Sequence, residues 1–210
     1  MTGDRSANKK AQKSELRIHL RGIRARAFEA DQAEGGLAAN RLIEIAEAFL
    51  PANIPTCVAG YIPIGGEIDP RPLLVHFKTL GAQLSMPLVL DKSEPLEFRA
   101  WSPGDVLDSG AMHTLQPMRT CEIRVPDLFI LPLLGFDRRG NRIGQGGGFY
   151  DRTIALARER AVAVYGVAFD TQEVDSLPSE PHDQMLDGVI TPSSLMVWDE
   201  NRQIRYLTQN

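Results

Sequence analysis

Six of the chain's 18 glycines fall within residues 135–148, inside a stretch that reads LLGFDRRGNRIGQGGGFYDR over residues 133–152. No other feature constrains the fold as much. Glycine loses more conformational freedom on folding than any other residue, so a run of it marks a backbone that takes positive φ or lets another group approach closely. Upstream, residues 128–134 read as a buried strand, and downstream residues 149–160 read as a helix. The glycines therefore join a strand end to a helix start, where unpaired amide N–H groups and the positive end of the helix dipole attract anions.

Neither of the two commonest phosphate fingerprints is present. A Walker A loop needs Gly-Lys, which occurs nowhere in the chain, and the dinucleotide pattern fails because Gly144 and Gly146 are followed by Phe149 where a third glycine belongs. What remains is Arg142, then Gly144, Gln145, Gly146, Gly147 and Gly148, then Phe149, Tyr150, Asp151 and Arg152. A guanidinium can fork onto phosphate oxygens, glycine amides can form an anion nest, and a carboxylate on the first helical turn can hold Mg²⁺ against those phosphates. The competing structural reading is a turn in which Asp151 only balances the helix dipole.

The charge is unevenly spread. The net charge is −4, yet residues 1–26 carry eight Lys/Arg against Asp4 and Glu15, a local +6 that leaves −10 for the rest. A basic helix is predicted over about residues 8–28. Lys10, Lys13, Arg17, Arg21 and Arg24 fall on one stripe, and Leu16, Leu20, Ile23 and Ala27 form an apolar stripe beside it. Such a helix docks on a core while presenting cations. The acidic body and the lack of interleaved aromatics argue against nucleic acid as the partner. No apolar run approaches the roughly 20 residues that span a bilayer, and the amino terminus lacks an apolar signal core, so a cytoplasmic protein without membrane contact is expected. Cys57 and Cys121 are far apart and outside any metal-binding spacing, which leaves them as buried thiols.

A second helix is expected over residues 31–49, with Leu37, Leu42, Ile45 and Phe49 near one face and Pro51 ending it. Strands follow at 56–63, 83–89 and 96–101, with a turn at Gly65 and Gly66 and a helix at 70–80. Strand 128–134, the glycine loop, helix 149–160 and strand 162–169 form a βαβ unit, which implies a parallel pair with a right-handed crossover. Residues 189–190 and 195–198 supply late strands. The chain of 210 residues thus reads as a single α/β domain, 1–210, with a mostly parallel sheet and helices on both faces. Ligands bind such sheets at the carboxyl ends of the strands.

The run Gly-Phe-Asp-x-x-Gly-Asn-Arg-Ile-Gly-x-Gly-Gly-Gly-Phe-Tyr-Asp-Arg (135–152) resembles the signature of the 5-formyltetrahydrofolate cyclo-ligase family, also called methenyltetrahydrofolate synthetases. Three further segments follow that family in order: Lys13-x-x-Leu-Arg17, Glu67-Ile68-Asp69, and Pro181-His-Asp-x-x-Leu-Asp187-Gly-Val-Ile-Thr191. The resemblance implies ATP- and Mg²⁺-dependent ring closure of 5-formyltetrahydrofolate to 5,10-methenyltetrahydrofolate, with ADP and phosphate released. It implies ATP contacts from Lys13, Ser14, Glu15, Leu16, Arg17, Arg142, Ile143, Gly144, Gln145, Gly146, Gly147, Gly148, Phe149 and Tyr150, with Lys13 and Arg142 at the chemistry. Folate contacts are implied for Ile62, Glu67 and residues 145–149, and Mg²⁺ ligation for Asp151 and Asp187. His182 and Asp183 are expected to order the loop before Asp187. The expected partners are small molecules, and a monomer is favoured. Two other classes stay open, a sugar-phosphate-binding isomerase-like enzyme and a folate- or nucleotide-binding regulator without turnover.

Overall fold

The computed structural model describes residues 2–49, 54–110, 114–160, 162–199 and 201–208. Pro51, expected to stop the second helix, and the side chains of Arg5 and Phe49 lie outside the described residues. The chain opens with α1 (Thr2–Ala33) and α2 (Ala38–Phe49), followed by β1 (Cys57–Ala59), α3 (Arg71–Thr79), β2 (Gln83–Leu88) and β3 (Glu97–Ala100). A hairpin of β4 (Leu107–Ser109) and β5 (Leu115–Pro117) precedes β6 (Leu128–Pro132), β7 (Gly135–Asp137), β8 (Arg142–Ile143) and α4 (Phe149–Ala157). The remainder is β9 (Ala163–Val167), β10 (Glu173–Val174), β11 (Gly188–Ile190), β12 (Ser194–Trp198) and β13 (Ile204–Thr208).

The main sheet has the order β13-β12-β11-β9-β6-β1-β2-β3. Its middle, from β11 to β2, is parallel, while β3, β12 and β13 add antiparallel edges. Strand β6 explains why the sheet carries helices on both faces. Leu128, Phe129, Ile130 and Leu131 are all buried, and because successive strand side chains point to opposite faces, each needs its own cover. Leu128 and Ile130 join the core under α2 and α3, with Leu42, Ile45, Leu73, Leu74 and Phe77. Phe129 and Leu131 join the core under α4, with Ile154 and Ala157.

Helix α1 is longer than the sequence reading, and α2 starts later, at Ala38 rather than near residue 31. The chain breaks at Gly35 and Gly36, both at positive φ, where Gly36 N–H returns to the Asp31 carbonyl at 2.7 Å. The Asp31 carboxylate then accepts the Ala38 N–H at 2.8 Å and caps α2. The apolar stripe docks as expected. Leu20 is fully buried with Leu134, Ile143 and Leu177, and Leu16 and Ile23 pack against the same cluster. Of the two thiols, Cys57 is buried as expected, whereas Cys121 is half-exposed.

The sequence reading carried β6 through Leu134, but the strand ends at Pro132 and the chain turns into a small second sheet, β10-β7-β8. Fully buried Asp137 fixes that turn. Its carboxylate accepts the N–H groups of Arg139, Asn141 and Leu177 at 3.0 Å and the Asn141 amide at 2.9 Å. This turn sets the direction from which the glycine loop departs.

Candidate active site

A cavity of about 840 Å³ opens at the carboxyl ends of the parallel strands. Its wall takes Tyr61, Ile62, Ile64 and Glu67 from the segment after β1, Pro87 and Val89 from the end of β2, and Pro132, Leu133 and Leu134 from the end of β6. Residues 142–152, the hairpin strand β5 and residues 180–184 complete the rim. Helix α1 lies along one side and contributes Lys10, Lys13, Arg17 and Arg24, so four of the five cations of the stripe read from the sequence face the cavity, while Arg21 is exposed outside its wall. Helical spacing divides the expected nucleotide segment. Lys13 and Arg17, four apart, face inward, whereas Ser14 and Glu15 point to solvent and Leu16 packs on the core, so these three are absent from the cavity wall.

Helix α1 also holds the glycine loop. Arg17 Nε donates to the Gly144 carbonyl at 3.0 Å, and Arg21 Nε and Nη2 donate to Gln145 Oε1 at 3.0 and 2.9 Å. Positive φ occurs at Gly146 (99°) and Gly148 (67°) but not at Gly147, where an added Cβ would instead meet the Phe149 ring at 2.8 Å. Gly148 stands just before α4 and has no side chain with which to cap it, so the first-turn amides stay available to a ligand. The Phe149 ring is covered by Arg152, whose Cζ lies 5.2 Å from its centroid.

The segment 180–184 meets the cations. Lys13, only 8% exposed, places Nζ 2.7 Å from Glu180 and 2.6 Å from Asp183. Burial alone would lower its pKa, but the hydrogen bonds to Asp183 and Glu180 outweigh burial and hold the ammonium above its ordinary value. Glu180 is correspondingly lowered by its bond from Lys13. Arg142 Nη2 lies 2.9 Å from Asp151, and its Nη1 donates to the Gln184 carbonyl. Gln184 N–H also donates to Asp151 at 3.1 Å, which sets Asp183 and Asp151 on the same rim.

Asp187 does not join them. It precedes β11, and a residue before a parallel strand lies at the amino edge, opposite the ligand crevice. Its carboxylate lies 2.5 Å from Arg158 Nη1 and accepts the Val164 N–H at 2.8 Å, just past the carboxyl end of α4. The expectation that Asp151 and Asp187 converge is therefore corrected. The carboxylate that shares the rim with Asp151, one residue before its partner Gln184, is Asp183, expected from the sequence only to order the loop. The signal was available, because Asp187 adjoins the apolar strand and Asp183 sits four residues before it.

Glu67 lies at the cavity's other end. It is 6% exposed, Arg24 Nη1 is 2.9 Å from Oε1, and the Ile64 N–H donates to Oε2 at 2.9 Å. Burial raises its carboxyl above the ordinary value despite Arg24. At the start of α3 it is Asp69, not Glu67, that accepts the Arg71 N–H, at 2.9 Å. Tyr150 lines the same region, and burial, with Glu67 nearby, keeps its phenol protonated well beyond the usual range. Arg24 and Arg152 are read from the sequence only as members of the basic stripe and of the loop motif, and Glu180 and the hairpin residues Leu115 and Gln116 are not singled out at all. They come from separate segments, and only the fold brings them to one cavity.

The model of the 5-formyltetrahydrofolate cyclo-ligase family matches residues 9–192. A 5-formyltetrahydrofolate cyclo-ligase of Escherichia coli (strain K12) is 32% identical over 180 residues, covering 83% of this chain and 97% of the relative. One from Mycolicibacterium smegmatis is 34% identical over 142 residues, covering 64% and 73%. Among solved structures, Aquifex aeolicus 5,10-methenyltetrahydrofolate synthetase superposes with a TM-score of 0.69 at 25% identity, covering 94% of each chain.

Proposed function

The chain belongs to the 5-formyltetrahydrofolate cyclo-ligase family, and from that premise we propose how its cavity divides between two substrates. Family membership selects a ligase over the isomerase-like enzyme and the regulator without turnover. ATP takes the end lined by Lys13, Arg17, Arg142 and the loop 144–148, and 5-formyltetrahydrofolate takes the end lined by Ile62 and Glu67. One observation carries this reading: a single cavity has cations and glycine-loop amides at one end and a buried carboxylate at the other. Phosphates need the first, and the paired N–H groups of a pterin need an acceptor such as the second.

In this reading the formyl oxygen attacks the γ-phosphorus and ADP leaves. N10 then adds to the activated formyl carbon and gives up its proton to the departing phosphate, which carries the formyl oxygen away as the ring closes. The protein's contribution is alignment and charge neutralisation rather than a nucleophile of its own. Arg142, held by Asp151 and Gln184, and Lys13, held by Asp183 and Glu180, are pre-positioned to move onto phosphate oxygens. Gln145 is tied back to Arg21, so its side chain has a positioning role in the loop.

The residues present fit Mg²⁺. Among the described residues, Asp151 accepts hydrogen bonds at Oδ1 alone and Asp183 at Oδ2 alone; Asp151 Oδ2 and Asp183 Oδ1, the latter 3.8 Å from His182 Nε2, are left for a hydrated hard cation. Held by Asp151 and Asp183, Mg²⁺ would supply charge neutralisation for the phosphates. We take residues 1–210 as one working domain and the protein as a cytoplasmic monomer with small-molecule partners, free of nucleic acid and membrane. Among the described residues no helix is long and apolar enough to cross a membrane. Calorimetric titration with a non-hydrolysable ATP analogue and with 5-formyltetrahydrofolate tests the division. Each binds in the presence of the other if the cavity is shared end to end, and mutual displacement would sink the reading.

A further inference from the structure

Arg24 stands two turns beyond Arg17 on α1, away from the glycine loop, and is only 7% exposed. Its ion-pair partner is Glu67 at 2.9 Å, and both side chains line the cavity. A buried carboxylate without a charged partner takes up a proton instead of remaining ionised. The groups facing Glu67 come from three elements: Arg24 from α1, the Tyr61 phenol from the segment after β1, and the Tyr150 phenol from α4. Tyr61 donates its hydroxyl to the Ile68 carbonyl at 2.7 Å, and both phenols are neutral, so neither offsets the charge. Asp69 is bonded to Arg71, and Arg142 is paired with Asp151. Arg24 is thus the cation in direct contact with Glu67 among the described residues.

We propose that Arg24 is a positioning residue for the folate: by pairing with Glu67 it holds that carboxylate in place and charged, so that its remaining lone pairs receive the ring N–H donors of the substrate. The proposal rests on the pterin-binding reading of Glu67. Arg24 Nη1 engages Oε1 and the Ile64 amide engages Oε2, so each oxygen keeps one acceptor site. Without Arg24, the burial that already raises the Glu67 carboxyl is opposed only by the hydrogen bond from the Ile64 amide. A protonated carboxyl then presents a hydroxyl to a donor edge, which costs recognition rather than nucleotide binding.

The test compares steady-state kinetics of the wild type with Arg24→Leu, Arg24→Lys, Glu67→Gln and the double variant Arg24→Leu/Glu67→Gln. Arg24→Leu raises the folate KM by about tenfold or more at neutral pH, while the ATP KM moves by less than about twofold. Its folate KM falls again as the pH rises and the carboxyl loses its proton, a rise in pH that changes the wild-type value less because Arg24 already favours the charged form. Arg24→Lys restores most of the affinity, and the double variant is no worse than Glu67→Gln. A pH-independent loss in Arg24→Leu, or a double variant carrying both single losses multiplied, overturns the proposal, because Arg24 would then act on substrate or fold independently of Glu67. Unchanged folate KM in Glu67→Gln instead sinks the pterin reading beneath it. If Arg24→Leu fails to fold, Arg24→Gln carries the same expectations.

Discussion

Asp183 and Asp187 are four residues apart in one motif, yet they end at opposite edges of the sheet. Asp183 shares Lys13 with Glu180 on the cavity rim, while Asp187 binds Arg158 and a β9 amide. The presence of carboxylates was legible in the sequence, but choosing between them required the edge at which β11 begins. Asp151→Asn and Asp183→Asn each raise the Mg²⁺ concentration needed for half-maximal activity by about tenfold or more, with folate affinity unchanged in binding titrations. Asp187→Asn leaves the Mg²⁺ titration alone and lowers stability in urea unfolding by about 1 kcal/mol, since its ion pair with Arg158 is partly exposed. An altered Mg²⁺ titration in Asp187→Asn would reverse the assignment. In the glycine loop, Gly148→Ala forces a side chain into a left-handed conformation that costs about 1–2 kcal/mol and puts a Cβ 2.7 Å from the Arg152 guanidinium. Weaker ATP binding in an otherwise folded Gly148→Ala protein is the expected result, and unaltered ATP affinity would remove the loop from the nucleotide site.

At the scale of elements, α1 does two jobs that its two stripes announce. The apolar stripe anchors it, and the basic stripe supplies the cavity and grips the loop through Gly144 and Gln145. The 3.6-residue period made both stripes legible, because residues three and four apart share a face. The same rule, applied more strictly, removes Ser14 and Glu15 from the cavity wall. Leu20→Ala opens a cavity at the contact with Leu134, Ile143 and Leu177 and costs about 2–5 kcal/mol in denaturant unfolding. Arg17→Ala leaves the anchor intact and raises the ATP KM by roughly one to two decades, with a much smaller effect on the folate KM. Equal effects on both substrates would mean that Arg17 orders the loop without meeting the nucleotide.

For the whole molecule, the βαβ unit through β6, α4 and β9 and the parallel middle of the sheet followed from hydrophobic runs bounded by turns. The hairpin β4–β5, the small sheet β10-β7-β8 and the edge strand β13 did not. Strands of two or three residues carry no period, and the largely exposed β13 has no buried face to betray it. Of these unread pieces, the hairpin shapes the mouth of the cavity and the small sheet the departure of its loop, while the legible pieces fix where the cavity lies. In the proposed function, the cations and loop at one end of this cavity and Glu67 at the other serve one coupled reaction. The direct measurement follows methenyl absorbance and inorganic phosphate together, from 5-formyltetrahydrofolate with ATP and Mg²⁺. Equimolar methenyl product and phosphate, with neither formed when ATP or Mg²⁺ is omitted, is the predicted result; methenyl product without ATP, or phosphate released without ring closure, would contradict it.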